Sequence, residues 1–207
     1  MGLAITVHYF VDMIENDAEG EAAFRDHMKV LNVILEREGL PPHVEPEVRG
    51  KAKARRHVGS FPYSFLHYLR RAYAYVHEDQ PLTPLAEGDD PTEDPMIEEA
   101  NILLDSHLLC HSDAEGYYVP IDFADIIVDD EIPGGMIGSS QRLFAELVAV
   151  APAIGIELDG TVLSDKVAAI LADEDESVPY ATERLVWLTL FEKTRVSIAN
   201  GTLIVFS

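Results

Sequence analysis

The stretch PYATERLVWLTLFEKTRVSIANGTLIVFS, residues 179–207, joins a long apolar helix to a closing pair of extended runs. Pro179 opens a helix to about Lys193 with Leu185, Val186, Trp187, Leu188, Leu190 and Phe191 spread over most of its circumference. A helix apolar all round belongs at the centre of a fold. Beyond it, Arg195 to Ala199 and Thr202 to Phe206 flank Asn200-Gly201. Asn-Gly is the dipeptide most favoured in two-residue hairpin turns, so this end predicts an antiparallel hairpin.

Working back along the chain, Ser164 starts a helix carrying Val167, Ile170 and Leu171, which runs into the acids Asp173 to Glu176. Gly134 to Ser140 reads as a glycine-rich loop ahead of a helix with Leu143, Phe144, Leu147 and Val148 on its core face. His107 to His111 and Tyr117 to Val119, around a turn at Ser112 to Gly116, predict a second hairpin. A helix from Ser60, with Pro62 in its first turn, carries the stripe Phe65, Leu66, Leu69, Tyr73 and Val76. Another spans about residues 18–38, where Phe24, Met28, Leu31 and Leu35 share a face, and Leu3 to Phe10 reads as the first strand. Strand, helices, hairpin, helices, hairpin is not the regular alternation of a doubly wound sheet. The expectation is an α+β fold, a mostly antiparallel sheet of about five strands with several packed helices. It occupies one domain over residues 1–207, with an exposed acidic loop at about 78–95.

The 207 residues are 47% apolar, with 37 Asp+Glu against 15 Lys+Arg, a formal charge of −22 and one cysteine. That apolar fraction supports a substantial core and excludes wholesale disorder. Cys110 alone cannot form an internal disulfide. No run reaches the ~18 apolar residues of a membrane span, and Met1 to Phe10 lacks the features of a signal peptide, so a cytoplasmic location is expected. The negative field repels phosphate backbones, so neither nucleic acid nor an anionic membrane is expected as a partner.

The charge is sorted. Residues 48–77 hold Arg49, Lys51, Lys53, Arg55, Arg56, Arg70 and Arg71 and no acid, whereas residues 72–141 hold no Lys or Arg and 17 acids from Glu78 to Glu131. A block of one sign selects an oppositely charged protein and speeds its capture. Glu87, Asp89, Asp90, Glu93 and Asp94 are therefore the candidate binding residues, and a basic protein the expected partner.

Fewer residues suggest chemistry. His107, His111 and Asp113 are the candidates for a small hydrolase or metal-dependent enzyme, with His67 and Arg71 as contributors. In a strand, positions four apart lie about 13 Å from each other, which keeps His107 and His111 from sharing an ion, whereas on a helix they would be neighbours able to chelate one. A metal and a cofactor are accordingly not expected. His67, Arg70, Arg71, Ser139 and Ser140 form a candidate anion-binding set, the serines opening a helix after a glycine-rich loop. Helix capping explains those serines equally well. Cys110 reads as a buried, inert thiol.

The run Cys110-His111-Ser112-Asp113-Ala114-Glu115-Gly116-Tyr117-Tyr118-Val119-Pro120, with Gly138-Ser139-Ser140 and Leu143 downstream, resembles small acidic bacterial proteins of the immunity-factor kind. That resemblance implies a nonenzymatic binding protein, in its concrete form one that neutralises a basic toxin. It carries no catalytic residues over to this chain.

Overall fold

In the computed structural model, which describes residues 2–55, 60–86, 88–100, 105–173, 175 and 177–207, alternate side chains of one mixed sheet feed two separate apolar cores. The strands are β1 (Gly2–Val7), β2 (Ser60–Pro62), β3 (Gly116–Val119), β4 (Ile127–Val128), β5 (Met136–Ser139) and β6 (Ile204–Phe206). Their order is β2-β1-β6-β3-β5-β4, with β3 and β5 parallel and every other pair antiparallel. The helices are α1 (Tyr9–Asn16), α2 (Ala18–Arg37), α3 (Tyr63–His77), α4 (Pro95–Ala100), α5 (Ser140–Val150), α6 (Asp165–Ala172) and α7 (Ala181–Asn200). The class is α+β and the sheet mostly antiparallel, with six strands rather than about five.

Successive strand residues point to opposite faces. Tyr118, Ile204 and Phe206 enter the core shared with α3, α5, α6 and α7. Their neighbours Tyr117, Val119 and Val205 enter a second core against Phe24, Leu31 and Leu35 of α2. Helix α7 packs against α3, α5, α6 and β1. Trp187 stacks on Phe191 at 4.5 Å and donates its indole N–H to Leu147 O at 2.7 Å, so the one polar atom of this large side chain is satisfied inside the core. At the centre of the sheet Tyr118 lies so close to β5 that a Cβ on Gly138 would sit 2.3 Å from its ring.

Four local expectations are corrected. There is no C-terminal hairpin: α7 continues to Asn200, and Gly201, at φ +66°, is its left-handed C-cap. Thr202 N donates to Ser197 O at 3.2 Å, closing the helix end, while β6 pairs with β1 and β3 instead of with residues 195–199. Residues 107–111 form a turn, because side chains satisfy their backbone: Glu146 accepts from the amides of His107 and Leu108, and Arg70 donates to the carbonyls of Leu108 and His111. The first strand stops at Val7, where His8 takes a left-handed conformation (φ 60°) and turns the chain into α1. Ser60 to Pro62 is an edge strand, a place where the missing proline N–H is tolerated, and α3 starts only at Tyr63.

Candidate functional site

Helix α3 turns Leu66, Leu69 and Ala72 into the core and packs against residues 91–93 and α4 of the acidic segment. Arg71 is the rivet. Its Nε donates to Asp94 Oδ2 at 2.6 Å, its Nη1 donates to Thr83 O at 3.0 Å, and its guanidinium lies 4.8 Å from the centre of the Tyr75 ring. Tyr75 Oη also donates to Asp94, at 3.1 Å, and the Met96 amide does so at 3.0 Å. Burial works against the charged form of Asp94, yet the Met96 amide and the Arg71 guanidinium hold its carboxyl below the ordinary range.

One end of α3 brings His67 Nε2 within 3.2 Å of Asp113, and the other brings His77 within 3.8 Å of Glu78 and 3.9 Å of Asp105. At the α-helical rise, His67 to His77 spans about 15 Å. Burial and the nearby Arg70 push the His67 pKa down, so at neutral pH its imidazole does not cancel the surrounding charge.

Three arginines of residues 48–77 are engaged by groups other than the acids of the acidic segment, and Arg56 lies outside the described residues. Arg49 pairs with Asp12, and Arg55 pairs with the buried Glu192 and with Asp165. Arg70, 6% exposed, faces the carbonyls of Leu108 and His111. Arg71 to Asp94 is the one arginine pair among the described residues that joins this segment to the acidic one. From the rest of the chain, Arg37 takes Asp129 and Arg142 takes Asp122. Asp89, Asp90 and Glu93 are exposed with no ion-pair partner among the described residues. Asp90 accepts the Thr92 amide and hydroxyl, which lowers its pKa and keeps it ionised. Glu87 lies outside the described residues. Asp94 therefore fastens the loop, while Asp89, Asp90 and Glu93 present it to solvent.

The remaining candidates do not converge. Ser139 N donates to His107 Nδ1 at 2.9 Å, which leaves Nε2–H to donate to Ala124 O at 3.0 Å. Both ring nitrogens are occupied, and burial pushes its pKa down. His111 stacks on Tyr118 at 4.1 Å with its nitrogens against the carbonyls of Ser112 and Tyr117, and burial lowers its pKa to about 4. Asp113 meets His67 instead, and no group of three or more potential metal ligands occurs among the described residues. The anion-binding set is likewise dispersed: Ser139 Oγ caps α5 by accepting from Arg142 N, Ser140 Oγ shares a hydrogen bond with Ser197 Oγ at 2.8 Å, and both arginines are engaged as described. Cys110 is buried, and burial raises its thiol pKa.

Sequence reasoning missed Glu146. Burial raises its pKa to about 7, against the opposing pull of the His107 and Leu108 amides it accepts from. The signal was present: Glu146 falls on the face of Leu143, Leu147 and Val150, and an acid on a buried stripe calls for a donor.

The family described as "Putative DNA-mimic protein" matches the chain over residues 1–206. The chain belongs to that family. No curated protein and no solved structure matches it. Membership of the DNA-mimic family overturns the resemblance to immunity factors, and it does not show a toxin as the target. It also corrects the expectation of a partner set without nucleic acid, since DNA enters the family's description as the thing imitated. A binding role fits both the family and the acidic surface. No helix among the described residues is long and apolar enough to cross a membrane.

Proposed function

We propose that the chain is a nonenzymatic, cytoplasmic binding protein whose anionic surface along α3 and residues 78–131 occupies the DNA-binding cleft of a basic DNA-binding protein. The observation that carries this reading is the fate of the arginines. Arg49, Arg55 and Arg70 are engaged by Asp12, Glu192 and backbone carbonyls, and only Asp94, Asp122 and Asp129 of the acidic segment pair with arginine among the described residues. The acidic segment thus keeps most of its negative charge exposed instead of being neutralised by its basic neighbour. A cleft that binds DNA gathers lysine and arginine against about one phosphate charge per 1.7 Å of helix axis, so a protein surface of uncompensated carboxylates competes for the same groups. Complementary fields also speed encounter.

The test is capture on the immobilised chain from a native lysate, followed by elution with short duplex DNA at constant ionic strength. Retained proteins should be released by the duplex and should bind DNA on their own. Retained proteins that ignore the duplex would contradict the reading.

A further inference from the structure

Beside the acidic surface a cleft of about 570 Å³ separates α3 from the start of α7. Its walls include Tyr68 of α3, Pro84 and Leu85 of the acidic loop, and Val178, Tyr180 and Glu183. Glu183 is only 4% exposed. Its carboxylate accepts from its own amide and makes no other hydrogen bond or ion pair to a described residue. The nearest cations are committed elsewhere: Arg71 to Asp94 and Thr83 O, and Arg184 Nε to Ile154 O at 2.6 Å. Burial raises the Glu183 pKa, the response of a carboxylate taken from water without a full set of donors. Tyr180 is held in place, its hydroxyl donating to Leu82 O at 3.2 Å. The cleft therefore offers a largely buried acid on walls it shares with two tyrosines, next to a surface that carries uncompensated negative charge.

We infer that this cleft receives one arginine side chain of the basic partner, its guanidinium paired with the Glu183 carboxylate and flanked by Tyr68 and Tyr180. The inference deepens the DNA-mimic reading and rests on it for the source of the arginine. Arginine is favoured over lysine because a guanidinium is planar, weakly hydrated and stacks on aromatic rings, whereas an ammonium gives up a tighter hydration shell. Arginine is also among the residue types enriched at the few dominant, desolvated contacts of protein interfaces.

Titration of the full-length, isotope-labelled chain with N-acetyl-arginine amide, N-acetyl-lysine amide and N-acetyl-citrulline amide at fixed ionic strength tests it. Arginine amide should shift Tyr68, Leu85 and Thr182 saturably, lysine amide more weakly, and the neutral citrulline analogue not at all. Glu183→Gln should lower the arginine affinity about tenfold, the scale of one charge-assisted hydrogen bond. Should that variant fail to fold, Tyr68→Leu provides the readout, losing arginine affinity and the preference over lysine. Diffuse shifts over the whole acidic surface, equal affinity for lysine, or unchanged arginine binding in the folded variants would overturn the inference. A flat titration leaves competition with DNA standing, and a chain that does not compete with DNA can still saturate with arginine amide, so the two failures are distinguishable.

Discussion

Arg71 and Asp94 form a nearly desolvated ion pair, Nε to Oδ2 at 2.6 Å with side chains 5% and 11% exposed, and it fastens the acidic loop to α3. Removing one partner of such a pair leaves the other charge buried without its counterion, at a cost of about 3 kcal/mol. Asp94→Ala should lower stability by that order in urea unfolding and expose residues 78–95 to faster limited proteolysis. Asp94→Asn, which keeps an acceptor for the Met96 amide, should lose less. Equal stability and equal protease resistance in both variants would show that the loop is held by other contacts.

Glu146 makes stability depend on pH with a definite sign. Its folded pKa is raised from 4.5 to about 7, so the native state retains a proton that the unfolded state releases between those values. Its contribution is fully present below about pH 4.5 and lost as pH rises through about 7, on the order of 3 kcal/mol over the window. Glu146→Gln cannot titrate. The stability difference between the native protein and this variant should therefore change across that interval, falling as pH rises, and stay level above it. A difference independent of pH would contradict the assignment.

Gly138 faces the Tyr118 ring across the parallel pair β3 and β5. An added methyl group would lie 2.3 Å from Tyr118 Cδ1, with the ring fixed by its hydroxyl donating to His107 O at 2.8 Å. Gly138→Ala should cost about 1–3 kcal/mol, the usual range for overpacking a core. Denaturant midpoints measure it, and a neutral substitution would mean that Tyr118 can move aside.

Local signals were the legible part of the fold. Helix α2 runs from Ala18 to Arg37, as the spacing of Phe24, Leu31 and Leu35 indicates, because its Asp17 cap and its apolar stripe are contained within the segment. Asn200-Gly201 misled for the opposite reason. The left-handed glycine that serves a hairpin also serves a helix C-cap, and the partners of β6 lie at residues 2–7 and 116–119. The turn at residues 107–111 was illegible because Arg70 and Glu146, each more than thirty positions away, satisfy its backbone. Sorted charge along the chain was visible at once. Whether the two signs cancel was not, since that depends on long-range pairs such as Arg55 with Glu192 and Arg49 with Asp12.

Competition for one captured partner tests the DNA-mimic reading most directly. With the partner bound to labelled duplex DNA, the native chain should displace the duplex. A chain carrying Asp89→Asn, Asp90→Asn and Glu93→Gln should need about tenfold more protein to do so, the sum of a few exposed charge contacts. A stable complex holding partner, duplex and chain together, or equal displacement by the neutralised chain, would contradict it.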